Sequence, residues 1–184
     1  KEIIVSPPFT SIEHANYCVK NLKLTIKLAA QNISPFDEGA YTGEINGRQI
    51  KEFADYVLVG HSERRTNFFE DDNVLTRKLL MAKKYGLKPI FFVQNKTAFI
   101  PENIPIIVYE PPSSISPGIP DTPENTNIVA SHIKDKGLAR YVLYGGNVTP
   151  VNVKSFTQIS NINGVLVGRA SLDPLEFLKI INNA

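Results

Sequence analysis

Tyr56-Val57-Leu58-Val59-Gly60-His61-Ser62-Glu63-Arg64-Arg65 is the stretch on which the fold turns. Four consecutive apolar residues with no polar alternation describe a strand buried on both faces, as a helix-covered parallel sheet requires. The run stops at Gly60 and His61 follows at once. In parallel α/β proteins the carboxyl ends of strands are where ligands and chemistry gather. A histidine opening the next helical turn feels the partial positive charge of a helix N-terminus, which disfavours imidazolium. Neutral imidazole can donate a hydrogen bond to a substrate carbonyl. A capping or packing histidine is the alternative reading.

The same pattern recurs along the chain. Apolar runs lie at Ile3–Val5, Leu24–Ala29, Pro89–Val93, Ile106–Tyr109, Tyr141–Leu143 and Val165–Val167. Helical segments are expected between them, at Ser11–Leu22, Ile45–Asp55 and Asp72–Tyr85, the last closed by Gly86 as a left-handed stop. Thr122-Pro123, Thr149-Pro150 and Asp173-Pro174 each pair a capping residue with proline at the first helical position, and open three more. Pro101 and Pro105 leave the Gln94–Pro105 crossover room for a turn or two at most. Alternating strands and helices make a parallel α/β fold. Its seven strands are one short of a closed eight-stranded barrel.

The 184 residues suit one domain, 1–184, since no linker or composition shift divides them. A net charge of +2 is too small to point to nucleic acid or an anionic membrane, and no run of about 18 apolar residues offers a membrane span. One cysteine, Cys18, excludes an internal disulfide framework and fits a reducing cytoplasm. Three histidines without metal-ligand spacing argue against a structural zinc site. No signal peptide is visible. The chain opens inside a strand, Lys1–Val5, and its only methionine is Met81, so the expectation is part of a longer protein.

A second chemical position is Tyr109-Glu110-Pro111-Pro112. Glu110 ends a buried strand, and a carboxylate desolvated there gains proton affinity, as a general base needs. A solvated strand-end glutamate is the alternative. Ser113-Ser114-Ile115-Ser116-Pro117-Gly118 reads as a lid or a surface loop. Tyr144-Gly145-Gly146-Asn147 and Gly168-Arg169-Ala170-Ser171 follow the last two strands, where glycines let backbone N–H groups approach an anion.

Taken together, Tyr56–Arg65, Glu110-Pro111, Tyr144–Gly146 and Val165–Leu172 resemble the triosephosphate isomerase family in order and spacing, as do Ala29–Asn32 and Gly39–Glu44. The resemblance runs from Lys1, which looks like the family's second strand, to the C-terminus. It implies a TIM (β/α)8-type barrel with seven units in the chain, strands 2–8 of the family, and a nearly absent helix after the fifth family strand. It implies interconversion of dihydroxyacetone phosphate and D-glyceraldehyde 3-phosphate through an enediolate, a step of glycolysis and gluconeogenesis, with no cofactor and no metal. Glu110 would move the carbon-bound proton, and His61 would polarise the carbonyl as a neutral acid, the family's own division of labour. Glu63 would be a buried carboxylate behind the site, and Ser62 would support it. Gly145, Gly146, Asn147, Gly168 and Arg169 would surround the phosphate, with Ser116 reaching in from the lid. Gly39–Glu44, with Thr42 at its tip, resembles the loop that inserts into a second subunit and implies a homodimer. No nucleic-acid or membrane partner is implied, and the location is cytoplasmic.

The chain also departs from the family pattern. The family carries a catalytic lysine in an Asn-x-Lys motif on its first strand. Here Asn21-Leu22-Lys23 spells the string before the Leu24–Ala29 strand, at the wrong strand end. Without that cation the enediolate loses several kcal/mol of stabilisation in a dry site, by order of magnitude. A catalytically silent scaffold is therefore the alternative. The lid has no tryptophan, Arg169 replaces a glycine, and Asn147 replaces a serine.

Overall fold

A computed structural model describes residues 1–115 and 118–184, Ile115 by its backbone only. The chain groups into two compact units, Lys1–Ile90 and Phe91–Ala184.

The first unit runs β1 (Ile4–Val5), α1 (Phe9–Asn21), β2 (Lys27–Ala30), α2 (Gly47–Lys51), β3 (Tyr56–Val59), α3 (Ser62–Asn67) and α4 (Asp72–Lys84), and ends in the first half of β4 (Lys88–Val93). Pairing is parallel, with Val5 opposite Leu28 and Ala30 opposite Val57. Ala29, Ala30 and Val57 are wholly buried, as a strand covered on both faces must be. The α4 side chains at 75, 79 and 82 are buried at helical spacing. Asp71 caps α4 by accepting from Val74 N–H at 2.8 Å. The helix ends in a Schellman turn: Gly86 at φ +65° donates to Lys83 O, and Leu87 donates to Ala82 O. The glycine stop read from the sequence is therefore in place.

In the second unit the latter half of β4 leads to β5 (Ile106–Tyr109), α5 (Pro112–Ile115), α6 (Pro123–Asp135), β6 (Tyr141–Tyr144), α7 (Val153–Thr157), β7 (Gly164–Val165), a 3-10 turn at Arg169–Leu172 and α8 (Pro174–Asn183). β5 and β6 pair in parallel through four residues, from Ile106 opposite Tyr141 to Tyr109 opposite Tyr144, and β6 pairs with β7. Phe91, Phe92 and Ile107 are fully buried, each such side chain contributing about 1.5–3 kcal/mol. The Gln94–Pro105 crossover forms turns and no helix, as its prolines require.

Three readings need correction. The Leu24–Ala29 run begins pairing only at Lys27, because Lys23 (φ +50°) and an exposed Leu24 still belong to the turn leaving α1. Thr149-Pro150 does not open α7, which starts at Val153 behind Asn152. Thr149 and Asn152 instead exchange side-chain-to-backbone bonds, a local turn that uses the polar groups a helix cap would have used. Ser113–Gly118 is not wholly loop, since Pro112–Ile115 winds into a short helix.

Candidate active site

Each unit presents its chemistry at strand ends. In the first, Gly60 (φ +82°) turns the chain out of β3 in a conformation few side chains adopt. Arg65 Nε donates to Gly60 O at 3.0 Å, and its Nη1 reaches Asp72 at 3.2 Å, so the turn is braced from α3. His61 is the N-cap of α3: its carbonyl accepts from the N–H groups of Arg64 and Arg65. Its ring caps the same end, Nδ1 accepting from Glu63 N–H at 3.3 Å. A ring nitrogen that accepts carries no proton, so the proton of the neutral ring sits on Nε2. The Glu63 carboxylate is 3.9 Å from Nδ1, too long to compete with that bond. The capping reading of His61 is therefore met by both its carbonyl and its ring.

Glu63 is not the buried carboxylate expected; its side chain is 70% exposed. It stands in the first turn of α3, where solvent and the positive helix end both suit a carboxylate. Ser62 beside it is buried. The buried acid of the first unit is Glu70, which sequence reasoning missed. It accepts from Arg64 Nε at 2.6 Å and Lys78 Nζ at 2.5 Å, and Lys78 also donates to Asn32 at 2.5 Å. The available signal was Lys78 itself, a cation among the apolar positions 75, 79 and 82 of α4, which calls for buried acceptors nearby. Burial lowers the Lys78 ammonium despite the partner carboxylate.

Thr42 is exposed in the turn between β2 and α2. Phe36 stacks on Tyr41 with ring centroids 4.4 Å apart. Asp37 fastens this segment to the end of α4 through Lys84 and Tyr85, and those bonds, Lys84 foremost, hold its carboxyl down at about 2.

In the second unit successive strand ends form a ladder: Glu110 N–H donates to Val93 O, Gly145 N–H to Tyr109 O and Leu166 N–H to Tyr144 O, each at 2.8 Å. Glu110 is 5% exposed, which sets aside the solvated-glutamate alternative. Pro111 is buried, and Ser114 caps the turn by donating from Oγ to Pro111 O at 2.7 Å. Ser116 lies outside the described residues.

Gly145 and Gly146 owe their identity to close approach. A Cβ on Gly145 would stand 2.7 Å from Val108 Cγ1, and one on Gly146 would overlap the Tyr144 hydroxyl. Asn147, at φ +47°, donates its amide to Gly118 O. Nothing crowds a Cβ at Gly168, and the neighbouring Arg169 is exposed on the 3-10 turn. Asp121, which the sequence did not single out, accepts from Tyr109 Oη at 2.7 Å and donates its N–H to Tyr144 Oη at 2.8 Å. Burial, then Asp121, raises the Tyr109 hydroxyl well above its ordinary value, and burial pushes that of Tyr144 up to about 12.

Among the described residues no cluster of His, Cys, Asp or Glu is arranged to hold a metal ion. No helix among them is long and apolar enough to cross a membrane.

The family model described as triosephosphate isomerase matches residues 1–103 and 99–184. The triosephosphate isomerase of Thermodesulfovibrio yellowstonii is 38% identical, with 98% of this chain and 85% of that protein covered. That of Aquifex aeolicus is 37% identical over the same shares, and that of Dictyoglomus turgidum is 38% identical over 100% and 86%.

Proposed function

The chain belongs to the triosephosphate isomerase family, and on that premise we propose that Glu110 and His61 carry its interconversion of dihydroxyacetone phosphate and D-glyceraldehyde 3-phosphate. The fold class is the family's parallel (β/α) barrel type, and the activity is an isomerase's. Glu110 takes the proton from the carbon beside the carbonyl, and the electron pair moves through the carbon–carbon bond to the carbonyl oxygen. His61 Nε2–H donates to that oxygen as negative charge grows on it. His61 then carries the hydroxyl proton from the neighbouring oxygen to the former carbonyl oxygen, and proton return from Glu110 to the carbon that bore the carbonyl completes the isomerisation.

The observation that carries this assignment is the Glu63 N–H on His61 Nδ1, which leaves Nε2 as the donor. Burial of Glu110 at a strand end supports its role as base. Glu63 serves through its backbone, and the buried Ser62 supports the site. Gly145, Gly146, Asn147, Gly168 and Arg169 surround the phosphate, with Ser116. The segment Gly39–Glu44, with Thr42, joins a second copy in a homodimer. A cytoplasmic location fits the single Cys18.

One observation favours a second reading, a catalytically silent scaffold. Lys23 lies in the turn between α1 and β2, at the opposite strand end from the Gly60 turn. Isomerisation of glyceraldehyde 3-phosphate, assayed with the chain and with a version extended by an N-terminal strand bearing Asn-x-Lys, separates the two. Activity in the chain supports the isomerase assignment outright. Activity only in the extended version supports it with the cation placed in the extension, and activity in neither overturns it.

A further inference from the structure

Tyr109 and Tyr144 are register partners at the ends of neighbouring parallel strands, with ring centroids 6.3 Å apart. Both are buried, and both hydroxyls converge on one residue, Asp121, just ahead of α6. Tyr109 Oη donates to Asp121 Oδ2 at 2.7 Å, and Asp121 N–H donates to Tyr144 Oη at 2.8 Å. Gly145 N–H donates to Tyr109 O at 2.8 Å and closes a ring of hydrogen bonds. Asp121 is itself held: its Oδ2 accepts from Asn125 Nδ2 at 2.6 Å, and its Oδ1 from Thr122 N–H at 2.8 Å. Tyr144 cannot swing away, because Phe156 stacks on it at 3.9 Å and the absent side chain of Gly146 is what admits its hydroxyl.

The residues that follow the two tyrosines are Glu110 and Gly145, the base and the first glycine of the phosphate turn in the function proposed above, on which this inference rests. We propose that Asp121 is a positioning residue: by holding the hydroxyls of Tyr109 and Tyr144 together it fixes the backbone of Glu110 relative to that of Gly145. Proton abstraction depends steeply on such placement, since a carboxylate displaced by about 1 Å loses up to about a hundredfold in rate. A loop aspartate with only a stabilising role would change melting temperature and leave turnover per folded molecule alone.

The test uses Asp121→Ala, Asp121→Asn, Tyr109→Phe and the double variant Asp121→Ala/Tyr109→Phe in the whole protein. Asp121→Ala is expected to lower kcat by about tenfold while KM for glyceraldehyde 3-phosphate changes much less. Asp121→Asn, which keeps an oxygen acceptor, should restore most of the rate. The double variant should be no slower than the slower single variant, because both substitutions break the same bond. In parallel, amide exchange at Glu110 and Gly145 should quicken in Asp121→Ala and recover in Asp121→Asn. A kcat for Asp121→Ala near that of the parent, or rate losses that multiply in the double variant, overturns the inference. If neither the chain nor its N-terminally extended version turns over, it is the isomerase reading that fails. Exchange then decides on its own, and unchanged exchange at both amides sinks the clamp.

Discussion

Gly146 has room for a hydrogen and nothing larger, because the Tyr144 hydroxyl crosses the space a Cβ would fill on its way to Asp121 N–H. Gly146→Ala therefore has to displace a fully buried tyrosine or open that bond. Overpacking of this kind costs about 1–3 kcal/mol, and a urea titration of the variant should show that loss. A midpoint equal to the parent's would mean that the turn yields at no cost. Glu110→Asp probes the neighbouring strand end differently: it leaves the buried site filled but withdraws the carboxylate by one methylene. Turnover should fall about a hundredfold with little change in melting temperature, and a wild-type rate would remove Glu110 as base. His61 and Glu110 were legible in the sequence because each follows an apolar run that ends a strand. Glu70 and Asp121 were not, since what makes them matter is a partner far along the chain: Lys78 for one, Tyr109 and Tyr144 for the other.

At the scale of elements, the strands Tyr56–Val59 and Ile106–Tyr109 and the helices opened by Asp71, Thr122 and Asp173 stand where the sequence put them, because capping and periodicity are local physics. The start of α3 was legible from His61 behind the strand, whereas α5 escaped, since four residues are too few to show a period and are held by tertiary packing. The segment leading into α2 shows how such packing is built. Tyr85, just past α4, lies so close to Gly47 that a Cβ there would sit 2.5 Å from its ring, and its hydroxyl reaches Asp37. Because the Asp37 carboxyl is lowered to about 2, this fastening is fully present above the ordinary carboxyl value of 3.8 and is lost as pH falls through about 2. The amide signals of Ser34 and Glu44, both bonded within this segment, should titrate with a midpoint near 2 in the parent and lose that step in Asp37→Asn. A midpoint at an ordinary carboxyl value would show that Lys84 and Tyr85 do not hold the loop in solution.

For the molecule as a whole, the buried titrating groups set how stability responds to alkali, and they pull in opposite directions. Lys78, in the first unit, has its ammonium lowered by burial, so the folded state sheds that proton before the unfolded chain does. Its contribution rises with pH up to the ordinary lysine value of 10.5. Tyr109 and Tyr144, in the second unit, are raised above the ordinary 10.0, so the folded state keeps phenols that the unfolded chain would ionise. Their contribution is complete below pH 10 and is lost as pH climbs through the folded values, about 12 for Tyr144. Each tyrosine takes away about 1.4 kcal/mol per pH unit across its window, which for Tyr144 alone amounts to roughly 3 kcal/mol. The decline above pH 10 should therefore exceed any gain from Lys78, whose window has by then nearly closed. Urea midpoints measured from below pH 10 toward pH 12 should fall steeply in the parent and less steeply in Tyr144→Phe, which keeps the stack on Phe156 and loses the ionisable group. Lys78→Met should leave that alkaline limb intact while lowering stability at neutral pH by about 3–5 kcal/mol, the cost of leaving a buried acid without one of its partners. Parallel alkaline slopes in the parent and Tyr144→Phe would mean that the hydroxyl is already solvated in the folded protein, and the hydrogen bond to Asp121 N–H would then have no buried phenol to hold.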